Sequence, residues 1–176
     1  MERAELCRLI KRAAYLEGNF VLRSGKRSKY YLDKYRFETQ PEILAELGKL
    51  LAEHRSPETT LIAGAELGGV PLAAATSLSC GLPYVIVRNA KKGYGTGNLF
   101  EGIVPESGSA LLVEDIATTG GQVLEAARAL SDAGIRVEKI VAVIDRLEGA
   151  RQNVEQAGLG FESLLTSPDL GITPTG

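Results

Sequence analysis

Apolar residues near the amino end fall at helical spacing. Leu6, Leu9, Ile10 and Ala13 stand at i, i+3, i+4 and i+7, the stripe of an amphipathic helix. The spacing predicts a helix that ends near Gly18. The stretch FVLRSGKRSKYYLDKYRF, residues 20–37, reads as two short strands around the turn Ser24-Gly25-Lys26-Arg27. Pro41 then opens a second helix with Ile43, Leu47, Leu50 and Leu51 on one face. After residue 59 the pattern changes. TTLIAG reads as a strand, AELGG as a loop and Val70 to Ser79 as a helix. PYVIVR at 83–88, ALLVED at 110–115 and IVAVIDR at 140–146 read as further strands. Between the last two, QVLEAARALSDAG carries Val123, Ala126, Ala127 and Leu130 at helical spacing, and Gly134 stops that helix.

Several of these strands are continuous aliphatic runs and do not alternate. That pattern marks strands covered on both faces, as in a parallel α/β sheet. The chain after residue 59 is therefore expected to be doubly wound, with ligands bound outside the carboxyl ends of the strands. Those ends carry Glu66, Arg88, Glu114–Asp115 and Asp145–Arg146.

Length and charge narrow the picture. The chain has 176 residues, which suits one domain with a sizeable core. A net charge of −2 argues against a nucleic-acid-binding surface. Cys7 and Cys80 form no metal-ligand pattern, which fits a reducing cytoplasm. The amino-terminal stretch is charged throughout and does not read as a signal peptide. No apolar run approaches the roughly 18–20 residues of a membrane span. The final residues, GITPTG, are expected to be a disordered tail.

The stretch VEDIATTGGQ, 113–122, concentrates the chemistry. Thr118, Thr119, Gly120 and Gly121 stand between an aliphatic strand and a helix, where free N–H groups and the helix dipole favour a phosphate. Glu114 and Asp115 beside them suit hydroxyls or a metal. The ligand expected from both features carries a phosphate and a sugar. The competing interpretation is a tight turn with a Thr N-cap and glycines that serve geometry. Gly93, Gly95 and Gly97 with Arg88, Lys91 and Lys92 suggest a basic lid over a polyanion rather than a dinucleotide fingerprint, since no helix pattern follows them. A solvated hairpin is the alternative. Arg146 suits a carboxylate, or else an ion pair with Asp145 or Glu148. His54, the only histidine, lies in a polar run and reads as a solvated residue after a helix. No nucleophile–base pair is in view, so triad chemistry has no support.

Together these residues resemble the phosphoribosyltransferases, and within them the orotate phosphoribosyltransferases. The match to the wider family is LLVEDIATTGGQV. The orotate type is suggested by LRSGKRSKYYLDKY at 22–35, by the loop R-x-x-K-K-x-Y-G-T-G-N-L-x-E-G at 88–102 and by DRLEG at 145–149. The resemblance implies the type I fold, a mainly parallel twisted sheet flanked by helices, in one domain over 1–176. Its parts would be a small hood with short strands over about residues 1–40, a core over about 41–166 and a tail over about 167–176.

The same resemblance implies an Mg²⁺-dependent transfer from 5-phosphoribosyl 1-pyrophosphate (PRPP) to orotate, in pyrimidine biosynthesis. Glu114 and Asp115 would hold the ribose hydroxyls, directly or through Mg²⁺. Ile116, Ala117, Thr118, Thr119, Gly120, Gly121 and Gln122 would bind PRPP, with 117–122 cradling its 5′-phosphate. Arg88, Asn89, Lys91, Lys92 and Tyr94 would lie on the pyrophosphate side, with Lys92 catalytic beside Glu114 and Asp115. Arg146, Thr118, Arg23 and Tyr31 would meet orotate. The protein would be a cytoplasmic homodimer whose 88–102 loop reaches the neighbour's site, with no nucleic-acid or membrane partner. The sequence departs from the usual pattern at Asn89 and Arg23, each in place of a Lys, and at Tyr94 in place of a His. Gly68 stands where some relatives carry Lys. The alternatives are transfer to another base, or a non-catalytic nucleotide sensor of the same fold.

Overall fold

The computed structural model describes residues 1–21, 27–89 and 99–172. Its centre is a six-stranded sheet in the order β5-β4-β3-β6-β7-β8. The strands are β3 (Leu61–Ala65), β4 (Tyr84–Val87), β5 (Phe100–Glu101), β6 (Gly108–Ala117), β7 (Ile135–Asp145) and β8 (Gly160–Thr166). All neighbours run parallel except β4 and β5, which pair antiparallel. The aliphatic runs behave as expected of two-sided burial, and all five residues of β3 are buried.

Two hydrophobic layers cover the sheet. On one face Ile62, Leu111, Val113, Val141 and Val143 pack against the amino-terminal helices. These are α1 (Arg3–Ala14), α2 (Lys34–Glu38) and α3 (Pro41–Glu53), with α4 (Gly69–Cys80) beside them. On the other face Leu61, Ala63, Leu112 and Ala142 pack against α5 (Gly121–Asp132) and α6 (Ala150–Gln156). The stripe Val123, Ala126, Ala127 and Leu130 is the buried face of α5. Each large aliphatic side chain buried in this way contributes about 1.5–3 kcal/mol.

A two-stranded hood, β1 (Tyr15–Val21) with β2 (Arg27–Leu32), stands at the edge of this body. The first helix ends at Ala14, not near Gly18, because Tyr15 already belongs to β1. The turn expected over Ser24–Arg27 lies outside the described residues except for Arg27. Five elements were not anticipated: α2, α6, the strands β5 and β8, and a 3₁₀ turn at Ser167–Leu170 where the tail was expected to begin.

Two other expectations are corrected. His54 is not a free solvated residue, since its Nδ1 lies 2.5 Å from Glu162 Oε2 on β8. The tail expected from Gly171 onward is anchored at Ile172, which is buried and donates its N–H to the Ser167 carbonyl at 3.0 Å. Residues 173–176 lie outside the described set.

The topology fixes where a ligand can sit. From β3 the chain moves outward to β4, then crosses back to β6 on the opposite side of β3. The switch point of the sheet therefore lies between the carboxyl ends of β3 and β6, where open α/β sheets bind ligands.

Candidate active site

Strand β6 does not stop at the two acids but continues through them to Ala117. Side chains alternate across a strand, so the two acids leave β6 on opposite faces, yet their carboxyl groups stay within hydrogen-bonding reach of each other. Asp115 continues the row of Val113 toward the hood and is 1% exposed. Its Oδ2 meets Lys34 Nζ of α2 at 2.5 Å, and its Oδ1 accepts the Ile116 N–H. Glu114 is 7% exposed and lines a cavity of about 370 Å³ together with residues 116–123. Its Oε2 has no hydrogen-bond partner among the described residues. Burial first, and then the neighbouring Asp115 charge, hold the Glu114 carboxyl well above the ordinary carboxylate range.

The cavity ends on the amino terminus of α5. Gly120 is the N-cap, at φ 79°, and no side chain caps the helix. Neither Thr118 nor Thr119 takes that role, while Gly120 does serve the geometry of the turn. The first N–H groups of α5 have no intrahelical partner, and they face a cavity lined by threonine hydroxyls. A helix end of this kind can hold an anion. Asn153 Nδ2 donates to the Thr119 carbonyl at 2.8 Å and steadies the turn from α6.

A polar knot joins the ends of β3 and β4 to this turn. The Glu66 carboxylate accepts the Asn89 N–H at 2.8 Å. The Glu66 carbonyl accepts Gln122 Nε2 at 2.6 Å and Asn89 Nδ2 at 3.3 Å. Arg88 stands between Glu101 at 3.4 Å and Glu66 at 3.9 Å. Its N–H reaches the Leu99 carbonyl at 2.9 Å, so β4 and β5 form the stem from which the glycine-rich loop departs. Lys91, Lys92 and Tyr94 lie outside the described residues, as does Arg23.

Arg146 sits beside the cradle, because its N–H donates to the Ala117 carbonyl at 2.9 Å. Its guanidinium pairs with Glu148 at 2.8 Å and lies 3.5 Å from the Tyr30 hydroxyl. Tyr30 in turn stacks on Tyr15 at 5.6 Å between centroids. Tyr31 points the other way, packs on Phe20 at 5.6 Å and is 45% exposed. The structure thus gathers Glu114, Ile116–Gln122, Asn89, Arg88 and Arg146 at the strand ends and brings Tyr30, not Tyr31, to the arginine. Lys34 and Glu66 are further members of the site to which no role was given from the sequence. A larger groove, about 680 Å³, lies between α1 and the α2–α3 turn. Its arginines, Arg12 and Arg36, are exposed and lie away from the strand ends.

Comparison with known proteins agrees with this geometry. The phosphoribosyl transferase domain model matches residues 35–162. An orotate phosphoribosyltransferase of Methanocella arvoryzae is 42% identical over 167 residues, covering 94% of this chain and 95% of the relative. One from Haloquadratum walsbyi is 48% identical over 153 residues, covering 87% and 83%.

The chain belongs to the orotate phosphoribosyltransferase family.

The fold agrees as well. A crystal structure of Mycobacterium tuberculosis orotate phosphoribosyltransferase in complex with 5-phospho-α-D-ribosyl 1-diphosphate superposes with a TM-score of 0.81 at 32% identity, covering 97% of this chain and 99% of that one. The domain model begins at Tyr35, after the hood, whereas the solved structure covers nearly the whole chain. Among the described residues no helix is long and apolar enough to cross a membrane.

Proposed function

We propose that this chain transfers the phosphoribosyl group of PRPP to N1 of orotate, giving orotidine 5′-monophosphate and pyrophosphate. The observation that carries the reading is the coincidence of a buried acid pair and an uncapped helix amino terminus on one strand–turn–helix unit at the sheet's switch point. Residues 117–122 would hold the 5′-phosphate. Glu114 and Asp115 would take the ribose hydroxyls. Arg88, Asn89, Lys91, Lys92 and Tyr94 would face the pyrophosphate. Arg146 would pair with the orotate carboxylate after exchanging its Glu148 partner, with Thr118 and Arg23 nearby and Tyr30, in place of Tyr31, beside the guanidinium.

An oxygen-rich pair with an unpartnered buried oxygen, Glu114 Oε2, fits a hard divalent cation such as Mg²⁺. Among the described residues no cluster of three or more metal-ligating side chains occurs, so the substrate's own oxygens would complete the ligand set. When bound, Mg²⁺ would stabilise the charge that grows on the departing pyrophosphate. In the reaction the bond from C1 of the ribose to the pyrophosphate oxygen breaks, and orotate N1 bonds to C1 from the opposite face. The protein's part is orientation and charge stabilisation. Losing one such contact costs roughly 10²–10³ in rate, and Lys92 is the residue assigned that contact. The working form would be a cytoplasmic homodimer sharing the 88–102 loop.

The test is orotate consumption followed by ultraviolet absorbance with Mg²⁺ and PRPP, with uracil and hypoxanthine in parallel. Loss of orotate alone is expected. Arg146→Ala should raise the orotate KM by about tenfold or more, the worth of one charge-assisted contact. Turnover of uracil in preference to orotate would move the specificity to another base.

A further inference from the structure

The acid pair is not left to itself. Lys34 opens α2, and its ammonium touches Asp115 Oδ2 at 2.5 Å. One helical turn later, Glu38 is buried beneath the same site with both carboxylate oxygens lacking a hydrogen-bond partner among the described residues. Lys34 pairs with Asp115, and its charge also acts on the nearby Glu38 and Glu114. It is the only cation paired with any of these three carboxyl groups among the described residues. Gly68 approaches the same oxygen, Oδ2, of Asp115. A Cβ built there would fall 1.5 Å from Asp115 Oδ2, so the carboxylate occupies the space in which a side chain at 68 would begin. Asp115 Oδ2 thus meets both the lysine of α2 and the backbone of a residue with no side chain.

We propose that Lys34 is a positioning residue for PRPP: it fixes the Asp115 carboxylate against Gly68 and offsets the acidic charge that would repel a polyanion. The inference rests on the phosphoribosyl-transfer reading of this site. It gives α2 a task, since the helix brings an ammonium to Asp115, whereas Arg88 and Arg146 at the strand ends pair with glutamates. It also makes Gly68 and Lys34 two halves of one device. Filling position 68 should push Asp115 off the ammonium, with the same consequence as deleting the ammonium.

The experiment measures PRPP binding by calorimetry with Mg²⁺, and separately the KM of orotate at saturating PRPP. Lys34→Met should weaken PRPP about tenfold to a hundredfold, the range for a charge-assisted contact, while the orotate KM moves less than about twofold. Lys34→Arg should recover most of the PRPP affinity. Gly68→Ala should reproduce the Lys34→Met defect, and the double variant should be little worse than either alone, as expected when two residues act through one group. If Lys34→Met fails to fold, Gly68→Ala and Lys34→Arg still decide. Unchanged or tighter PRPP binding in Lys34→Met overturns the proposal, and so does an equal loss for both substrates. Where Lys34→Met does not fold, wild-type PRPP affinity in Gly68→Ala overturns it. Wild-type protein that binds PRPP without consuming orotate would sink the transfer reading while leaving the Lys34 measurement intact.

Discussion

Glu38 shows at the scale of one residue how the site strains its surroundings. It is 1% exposed. Burial first, and then the Asp115 charge, push its carboxyl pKa up to about 8, with Lys34 opposing them. The folded form therefore holds a proton that the unfolded chain has released. Stability from this source is fully present below about pH 4.5 and is lost as pH rises through about 8. Glu38→Gln keeps the shape and removes the titration. We expect the wild type to lose melting temperature between about pH 4.5 and 8, and the glutamine variant to lose much less. Parallel melting curves over that range would show that Glu38 is not the group responsible. None of this was legible in YYLDKYRFE, residues 30–38. Side chains in a strand alternate, so a shift of one residue exchanges the faces. The sequence could not tell Tyr30 from Tyr31, nor show that the short helix after them turns Lys34 toward Asp115. Arg146, Glu114 and Asp115 were legible because charges that follow an aliphatic strand are conspicuous in themselves.

At the scale of elements, legibility followed periodicity. The helices α3, α4 and α5 and the strands β3, β4, β6 and β7 run long enough for a pattern to repeat. Their centres were all anticipated. The helix α6 has seven residues and buries only Ala150 and Val154, too few to form a stripe. Strand β5 has two residues and is defined only by its pairing to β4. The glycine turn between β6 and α5 was anticipated as a cradle, but the reason for Gly120 needed the backbone. At φ 79° it stands in the left-handed region, which costs a residue with a Cβ about 1–2 kcal/mol. A Cβ there would touch Ala150 and Val154 at 3.4 Å, so space is tight but sufficient. Gly120→Ala should therefore fold, lose about 1–2 kcal/mol in denaturant titration and bind PRPP more weakly than wild type. Unaltered PRPP affinity with the stability loss present would separate the turn's geometry from phosphate binding.

At the scale of the molecule, the described surface carries a sign of association. Helix α4 contains no charged residue, and Leu78 on it is 88% exposed. A large apolar side chain this open on an uncharged helix suits a covered face, and a second copy of the chain is the partner the proposed function calls for. A shared 88–102 loop then makes a prediction that no monomer property can imitate. Lys92 belongs to the loop and Arg146 to the body of the site. Lys92→Ala and Arg146→Ala proteins should each turn over poorly at modest orotate concentration. Mixed, dissociated and reassociated, half of the dimers are hybrids if pairing is random. If the loop serves the neighbour's site, each hybrid holds one site with both residues intact and one with neither. Activity should then rise to about a quarter of the wild-type value. If the loop closes over its own subunit's site, every site in every hybrid keeps one defect, and mixing restores nothing. Orotate consumption before and after mixing, with sedimentation to verify the exchange, separates the two arrangements.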